Sequence, residues 1–127
     1  MKVITQTYHL HAPIEKVWEA LIDAKIIDKW GGGPAKMDAK VGTKFSLWGG
    51  EIHGKNTEVV AHKKLVQEWF GGNWDEPSIA TFSLSEKNGV TTIDFHQSNV
   101  PDNEEKDIED GWKTYYLGPL KDFVEKN

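Results

Sequence analysis

Cysteine is absent from the 127 residues, which excludes disulfide scaffolding, thiolate nucleophiles and cysteine metal sites together. Long apolar runs are missing too: no stretch approaches the eighteen or so residues that span a bilayer. Met1-Lys-Val-Ile-Thr-Gln-Thr-Tyr8 also lacks the continuous apolar segment of a secretory signal. The expected localisation is therefore cytoplasmic, with no membrane partner. Positive charge is in deficit, 15 Lys and Arg against 20 Asp and Glu for a net −5, and no basic cluster is present to neutralise a phosphate backbone. Nucleic acid is not an expected partner. Neither a nucleophile elbow nor an H-E-x-x-H pattern occurs. What is present is one domain's worth of chain, 1–127, long enough to bury about two thirds of the surface its unfolded form exposes.

Residues 3 to 10 alternate, with Ile4, Tyr8 and Leu10 on one face and Thr5, Thr7 and His9 on the other, as in a half-buried strand. Pro13 suits the first turn of a helix, where a missing N–H costs nothing, and Ile14, Val17, Trp18, Leu21 and Ile22 follow at helical spacing. Asp23 offers a cap for a second short helix, Ala24 to Trp30, which Gly31-Gly-Gly-Pro34 stops. A phosphate-cradling loop precedes a helix, whereas this one follows a helix, so it reads as a stop signal and a pocket rim.

From Val41 to Gln97 short apolar runs alternate with turn formers. Phe45 with Leu47, Ile52 to Ala61, Leu65 to Phe70, Ser78 to Ser85 and Val90 to Gln97 are expected strands. Gly49-Gly50, His62-Lys-Lys64, Gly71-Gly-Asn73 and Lys87-Asn-Gly89 divide them. Successive hairpins imply an antiparallel sheet. Pro101 to Asp110 is acidic and reads as a solvated loop leading into a helix. From Ile108, the residues Trp112, Tyr115, Tyr116, Leu120, Phe123 and Val124 recur at steps of three and four, giving a helix with one broad buried face. Gly118-Pro119 interrupts that run and predicts a kink.

In order and spacing, Ala12-Pro13 with Val17-Trp18, Trp30, Gly42 with Phe45, Gly54 with Glu58, Leu65 with Trp69, and Gly111-Trp112 with Leu120 carry a resemblance to a known family. The chain resembles the START-like (SRPBCC, helix-grip) superfamily over nearly its whole length, specifically the AHSA-like branch of homologues of the activator of heat-shock protein ATPase. The resemblance implies an α+β fold, β-α-α-β-β-β-β-β-α, whose curved antiparallel sheet wraps a long C-terminal helix. It also implies candidate activities: lipid or other hydrophobic-ligand carriage, polyketide cyclisation, or co-chaperone action in a stress response. The eukaryotic co-chaperone carries a separate N-terminal domain with no counterpart in these 127 residues, and that departure lowers the co-chaperone expectation.

Strand parity and helix phase direct Tyr8, Phe45, Leu47, Trp69, Phe82, Leu84, Ile93, Phe95, Trp112, Tyr115 and Tyr116 inward, and Trp30 ends the second helix on the same side. Asn56 and Gln67 are polar groups of that parity, with Glu58, Thr81 or Gln97 joining them if a bulge shifts the register. A few such groups orient a guest in an apolar pocket; their plain alternative is a hydrogen bond to a neighbouring strand. Aromatics each bury about 150–250 Å² and can fill such an interior outright. A sealed dry void of about 300 Å³ would cost on the order of 7 kcal/mol, so any space there must be collapsed or occupied. The five histidines have no metal-site spacing; His9, His11 and His96 read as surface residues. No cofactor or metal is expected.

The leading expectation is a noncatalytic binder of a small hydrophobic or aromatic molecule, held in a cavity between sheet and C-terminal helix. The alternatives are a co-chaperone-like module with a chaperone protein as partner, contacting it through the convex sheet face or the Gly31 to Pro34 loop, and a polyketide cyclase-like enzyme. In the cyclase, Glu58, Asn56 or Tyr115 would move a proton.

Overall fold

The computed structural model describes residues 1–72 and 74–126. Strand β1 (Lys2–Leu10) alternates as expected and leads to α1 (Ile14–Ile22), whose cap position Pro13 fills, one residue earlier than its expected place within the helix. Val17, Trp18, Ala20 and Leu21 form the buried stripe of α1. The Asp23 carboxylate accepts the backbone N–H groups of Lys25 (2.9 Å) and Ile26 (3.3 Å), satisfying two donors that otherwise lack helical partners, and so starts α2 (Ala24–Trp30).

The sheet then follows as β2 (Lys44–Leu47), β3 (Ile52–Val60), β4 (Lys64–Gly71), β5 (Ser78–Lys87) and β6 (Val90–Val100). A 3₁₀ turn, Trp48–Gly50, joins β2 to β3. The order is β1-β6-β5-β4-β3-β2, antiparallel throughout, so the first strand pairs with the last and β1 and β2 form the two edges. Asn88-Gly89 is the expected two-residue turn, with Lys87 paired to Val90 and both central residues at positive φ. β4, β5 and β6 extend beyond their expected ends. Asn73, the last residue of the expected Gly71-Gly-Asn73 turn, lies outside the described residues.

One glycine in the sheet is dictated by packing. Gly54 is paired with Phe45 on one side and Trp69 on the other, and a Cβ there would strike the Glu68 carbonyl and press on the Phe45 ring. Because that position carries no side chain, Phe45 and Trp69 meet across β3 with ring centroids 5.8 Å apart.

The acidic stretch after β6 is helical, which corrects the expected loop. A 3₁₀ turn, Asp102–Glu104, runs into α3 (Glu105–Gly111), with Glu105 and Asp107 in the first turn, where the unpaired N–H groups favour negative charge. Five residues, Trp112–Tyr116, then wind as a π turn, before α4 (Leu117–Lys126) completes the C-terminal helix. The irregularity anticipated at Gly118-Pro119 is thus a wide turn just ahead of it. The Leu117 N–H bonds the Trp112 carbonyl, five residues back. Pro119 has no N–H to offer, so a regular α-helical bond is unavailable at that place. Gly118 permits the wide turn, since a Cβ would collide with the Lys113 carbonyl.

The helix lies across the curved sheet, Trp112 and Tyr116 facing it, while α4 buries Leu117, Leu120 and Val124 and packs on α1, α2 and β1. This is the α+β helix-grip arrangement. Among the described residues no helix is long and apolar enough to cross a membrane. Because backbone rather than a flexible tip blocks the Cβ, Gly118→Ala should destabilise the protein by about 2 kcal/mol or more, read as a lower urea midpoint with an unchanged slope.

Candidate functional site: an aromatic cleft at the end of the grip

The π turn sets the phase of the helix against the sheet. Each residue of a wide turn rotates less than an α-helical step, so Trp112 and Tyr116 come onto one face and Tyr115 falls outside it. Tyr116 is 1% exposed and Tyr115 66%, which corrects the inward assignment of Tyr115. The Tyr116 ring packs against Trp30 (centroids 4.8 Å), Trp112 (4.8 Å), Phe82 (5.7 Å) and Trp69 (5.9 Å). Trp112 in turn touches Phe95 (4.1 Å) and Trp69 (4.6 Å). All of these are tilted except the stacked Phe82–Tyr116 pair, and such non-sandwich geometries suit the ring quadrupoles.

Polar tethers hold the indoles. Trp112 Nε1 donates to Gln97 Oε1 (2.7 Å), and Gln97 Nε2 donates to Ser78 Oγ (2.7 Å). Trp69 Nε1 donates to Gln67 Oε1 (2.7 Å), Gln67 Nε2 to Asn56 Oδ1 (2.9 Å), and Asn56 Nδ2 to the carbonyls of Asp38 (2.9 Å) and Lys40 (3.1 Å). Asn56, Gln67, Ser78 and Gln97 are all fully buried, and each finds a partner, as burial of an amide or hydroxyl requires. Trp48 Nε1 donates to the Gly31 carbonyl (2.8 Å) and Trp74 Nε1 to Glu104 Oε2 (2.9 Å).

A cleft of about 510 Å³, open on one side, lies between these elements. Trp48, Glu51 and Ile52 contribute from the 3₁₀ turn and β3. Trp69, Gly71, Gly72 and Trp74 come from β4 and the residues after it, and Gln97 from β6. Glu104, Ile108, Gly111, Trp112, Tyr115 and Tyr116 come from the C-terminal helix and the turn before it. The space under the grip proper is filled by rings, and the remaining volume has moved to its end and opened to solvent, so it carries no cost of a sealed dry void.

Of the expected ligand-contacting residues, Trp69, Trp112, Tyr115 and Tyr116 line this cleft. Trp30, Phe45, Leu47, Phe82, Ile93 and Phe95 lie in the core instead, as does Leu84. Asn56 and Gln67 sit behind Trp69 as its support. Tyr8 is half-buried, its hydroxyl donating to Gln6 Oε1 (2.7 Å). The proton-transfer candidates do not converge: Glu58 is exposed, 3.5 Å from Lys64 Nζ beyond an irregularity in the β3–β4 register, and Asn56 is tied to backbone carbonyls. Gly31 to Pro34 does not line the cleft. It acts one step back, receiving the Trp48 backbone N–H at the Gly32 carbonyl (2.8 Å) and the Gly49 N–H at the Pro34 carbonyl (3.0 Å).

Sequence reasoning missed Trp48 and Trp74, and admitted Gln97 only through a bulge. Gln97 needs no bulge: it shares the parity of Ile93 and Phe95, and that alternation was the available signal. Trp48 and Trp74 flank glycine-rich turns and belong to no period, so only their size and isolation in polar segments marked them.

Comparison with known proteins places the whole arrangement. The model of the family "Activator of Hsp90 ATPase homolog 1-like protein" matches residues 11–125. The human activator of 90 kDa heat shock protein ATPase homolog 1 is 28% identical over 122 residues, covering 94% of this chain and 36% of that protein. The chain thus spans about a third of the length of the curated relatives it matches. A crystal structure described as an HSP90 activator from Plasmodium falciparum superposes with TM-score 0.88 at 27% identity, over 96% of this chain and 95% of that one. The solution structure of an Aha1 dimer from Colwellia psychrerythraea gives TM-score 0.84 at 23% identity over 98% and 97%, a likeness of fold.

Two variants test this geometry. Gln97→Leu should cost about 1–3 kcal/mol, because it strands the buried indole N–H of Trp112, and should shift the protein's tryptophan emission. The buried Tyr116 hydroxyl has no hydrogen-bond partner among the described residues, so Tyr116→Phe should be neutral or stabilising by up to about 1 kcal/mol. Burial also raises the Tyr116 pKa above its ordinary 10.0. The folded state therefore keeps its proton where the unfolded state loses it, and this contribution to stability falls as pH rises above 10. Denaturant titrations from pH 9 to 11 should show a shallower alkaline decline for Tyr116→Phe.

Proposed function

The chain belongs to the Activator of Hsp90 ATPase homolog 1-like family, and on that premise we propose that it binds a small apolar or aromatic molecule in the Trp48–Trp112 cleft without transforming it. One observation carries the reading: about 510 Å³ of open space, within the range of ligand sites, walled by four indoles whose N–H groups are all bound within the protein. Walls fixed before a guest arrives lose little freedom on binding, which favours affinity. Glu58 and Asn56 stand away from the cleft, and Tyr115 alone of the three proton-transfer candidates reaches it. That separation supports binding over cyclisation.

A second reading, an Hsp90-class chaperone as partner, is favoured by one finding. The Plasmodium falciparum chain described as an HSP90 activator is matched over 95% of its own length, so a chain of about this size bears that description. In this reading the protein acts through one domain spanning 1–127, and the chaperone contacts its outer surface.

Titrating the protein with lipids, polyketides and flavonoids while following the indole N–H resonances should shift Trp69 and Trp112 first. Ile108→Trp, which fills the cleft from the helix side, should weaken any such guest by about tenfold or more while leaving the amide spectrum folded. Silence across the panel, together with a changed ATPase rate of an Hsp90 chaperone on adding the protein, would replace the first reading with the second.

A further inference from the structure

We infer that the guest of this cleft carries a positive charge: an organic ammonium on an apolar or aromatic body. The inference rests on the cleft being a ligand site, and it specifies which ligands. Its ionisable lining is one-sided, with Glu51 and Glu104 contributing carboxylates and no lysine, arginine or histidine among the described lining residues. The acid-lined mouth sits in a chain of net charge −5, so local and global fields agree in attracting cations and repelling anions.

The aromatic walls add to that preference for a separate reason. An indole can welcome an anion or carbonyl only through its N–H, and here every lining indole has donated it within the protein: Trp48 to Gly31, Trp69 to Gln67, Trp74 to Glu104 and Trp112 to Gln97. The carboxamide N–H₂ of Gln97 is likewise given to Ser78. Among the described residues, the side-chain donors left in the lining are two neutral phenols, Tyr115 and Tyr116. What the indoles offer a guest is ring surface, and ring faces carry the negative end of the quadrupole, which attracts ammonium groups. A carboxylate or phosphate head would find no counter-ion there.

The test uses one 2-(2-naphthyl)ethyl body bearing three different heads, trimethylammonium, hydroxyl or carboxylate, titrated by calorimetry at low ionic strength. The ammonium compound should bind about tenfold tighter than the alcohol, and the carboxylate most weakly. In the Glu51→Gln/Glu104→Gln double variant, where the carboxamide oxygen introduced by the second substitution still accepts the Trp74 N–H, the ammonium-to-alcohol ratio should fall to about threefold or less, a ratio in which any change common to both compounds cancels. Equal or tighter binding of the alcohol or carboxylate overturns the charge inference while preserving the ligand site. An undiminished ratio in the double variant overturns the role given to the carboxylates. Failure of all three compounds to bind removes the ligand reading itself, and this inference with it.

Discussion

The hydrogen bond from the Trp112 indole to the Gln97 carboxamide, 2.7 Å long and fully buried, fixes the C-terminal helix to the sheet. Apolar contact alone holds a helix against a curved surface without specifying how far along it lies, because burial is nondirectional. A buried donor and acceptor change that: sliding by one residue would strand both groups, at a cost comparable with a sizeable share of a domain's net stability. Tyr116 follows from Trp112, because the π turn between them brings both rings to one face. The stack of Trp30, Phe82 and Trp69 on Tyr116 then follows in its turn.

The second tether works the same way from within the sheet. Asn56 and Gln67 face each other across β3 and β4, join through their side chains, and hand the last acceptor to Trp69. Fully satisfied polar networks of this kind specify one arrangement where an apolar core of equal volume would allow several. The cleft is bounded by both tethered indoles, so its shape is set by buried amides that never touch its space. Trp48 and Trp74 are held less deeply, by a loop carbonyl and by a half-buried carboxylate.

Much of the fold was legible because period and turn chemistry coincide. The alternation in β1, β4, β5 and β6, the Asn88-Gly89 turn, the Asp23 cap and the helical spacing of α1 each point to the element that forms. The acidic stretch misled because charge suggested solvent, whereas Glu105 and Asp107 favour the first turn of a helix. Tyr115 misled because its α-helical phase is inward, and only the underwound turn ahead of Gly118-Pro119 moves it out. The site was half legible for a related reason. Trp69, Trp112 and Tyr116 lie on periodic elements, but Trp48 and Trp74 are placed by hydrogen bonds from their indoles to residues 17 and 30 positions away, which no local pattern encodes.

A helix-grip fold must either fill the space beneath its helix or admit something into it. Here the choice is divided along the helix. At the α4 end, Leu117, Leu120 and Val124 close on α1, α2 and β1; at the centre, aromatic rings occupy the concave face; at the α3 end, Gly111 and the half-buried Ile108 leave the sheet uncovered beside Gly71. Small residues on both sides of that opening keep it from collapsing, since neither glycine has a side chain to send into it. The aromatic core and the cleft are therefore one packing solution: the rings that solidify the interior also present their remaining faces to the opening, so a change that loosened the core would deform the site with it.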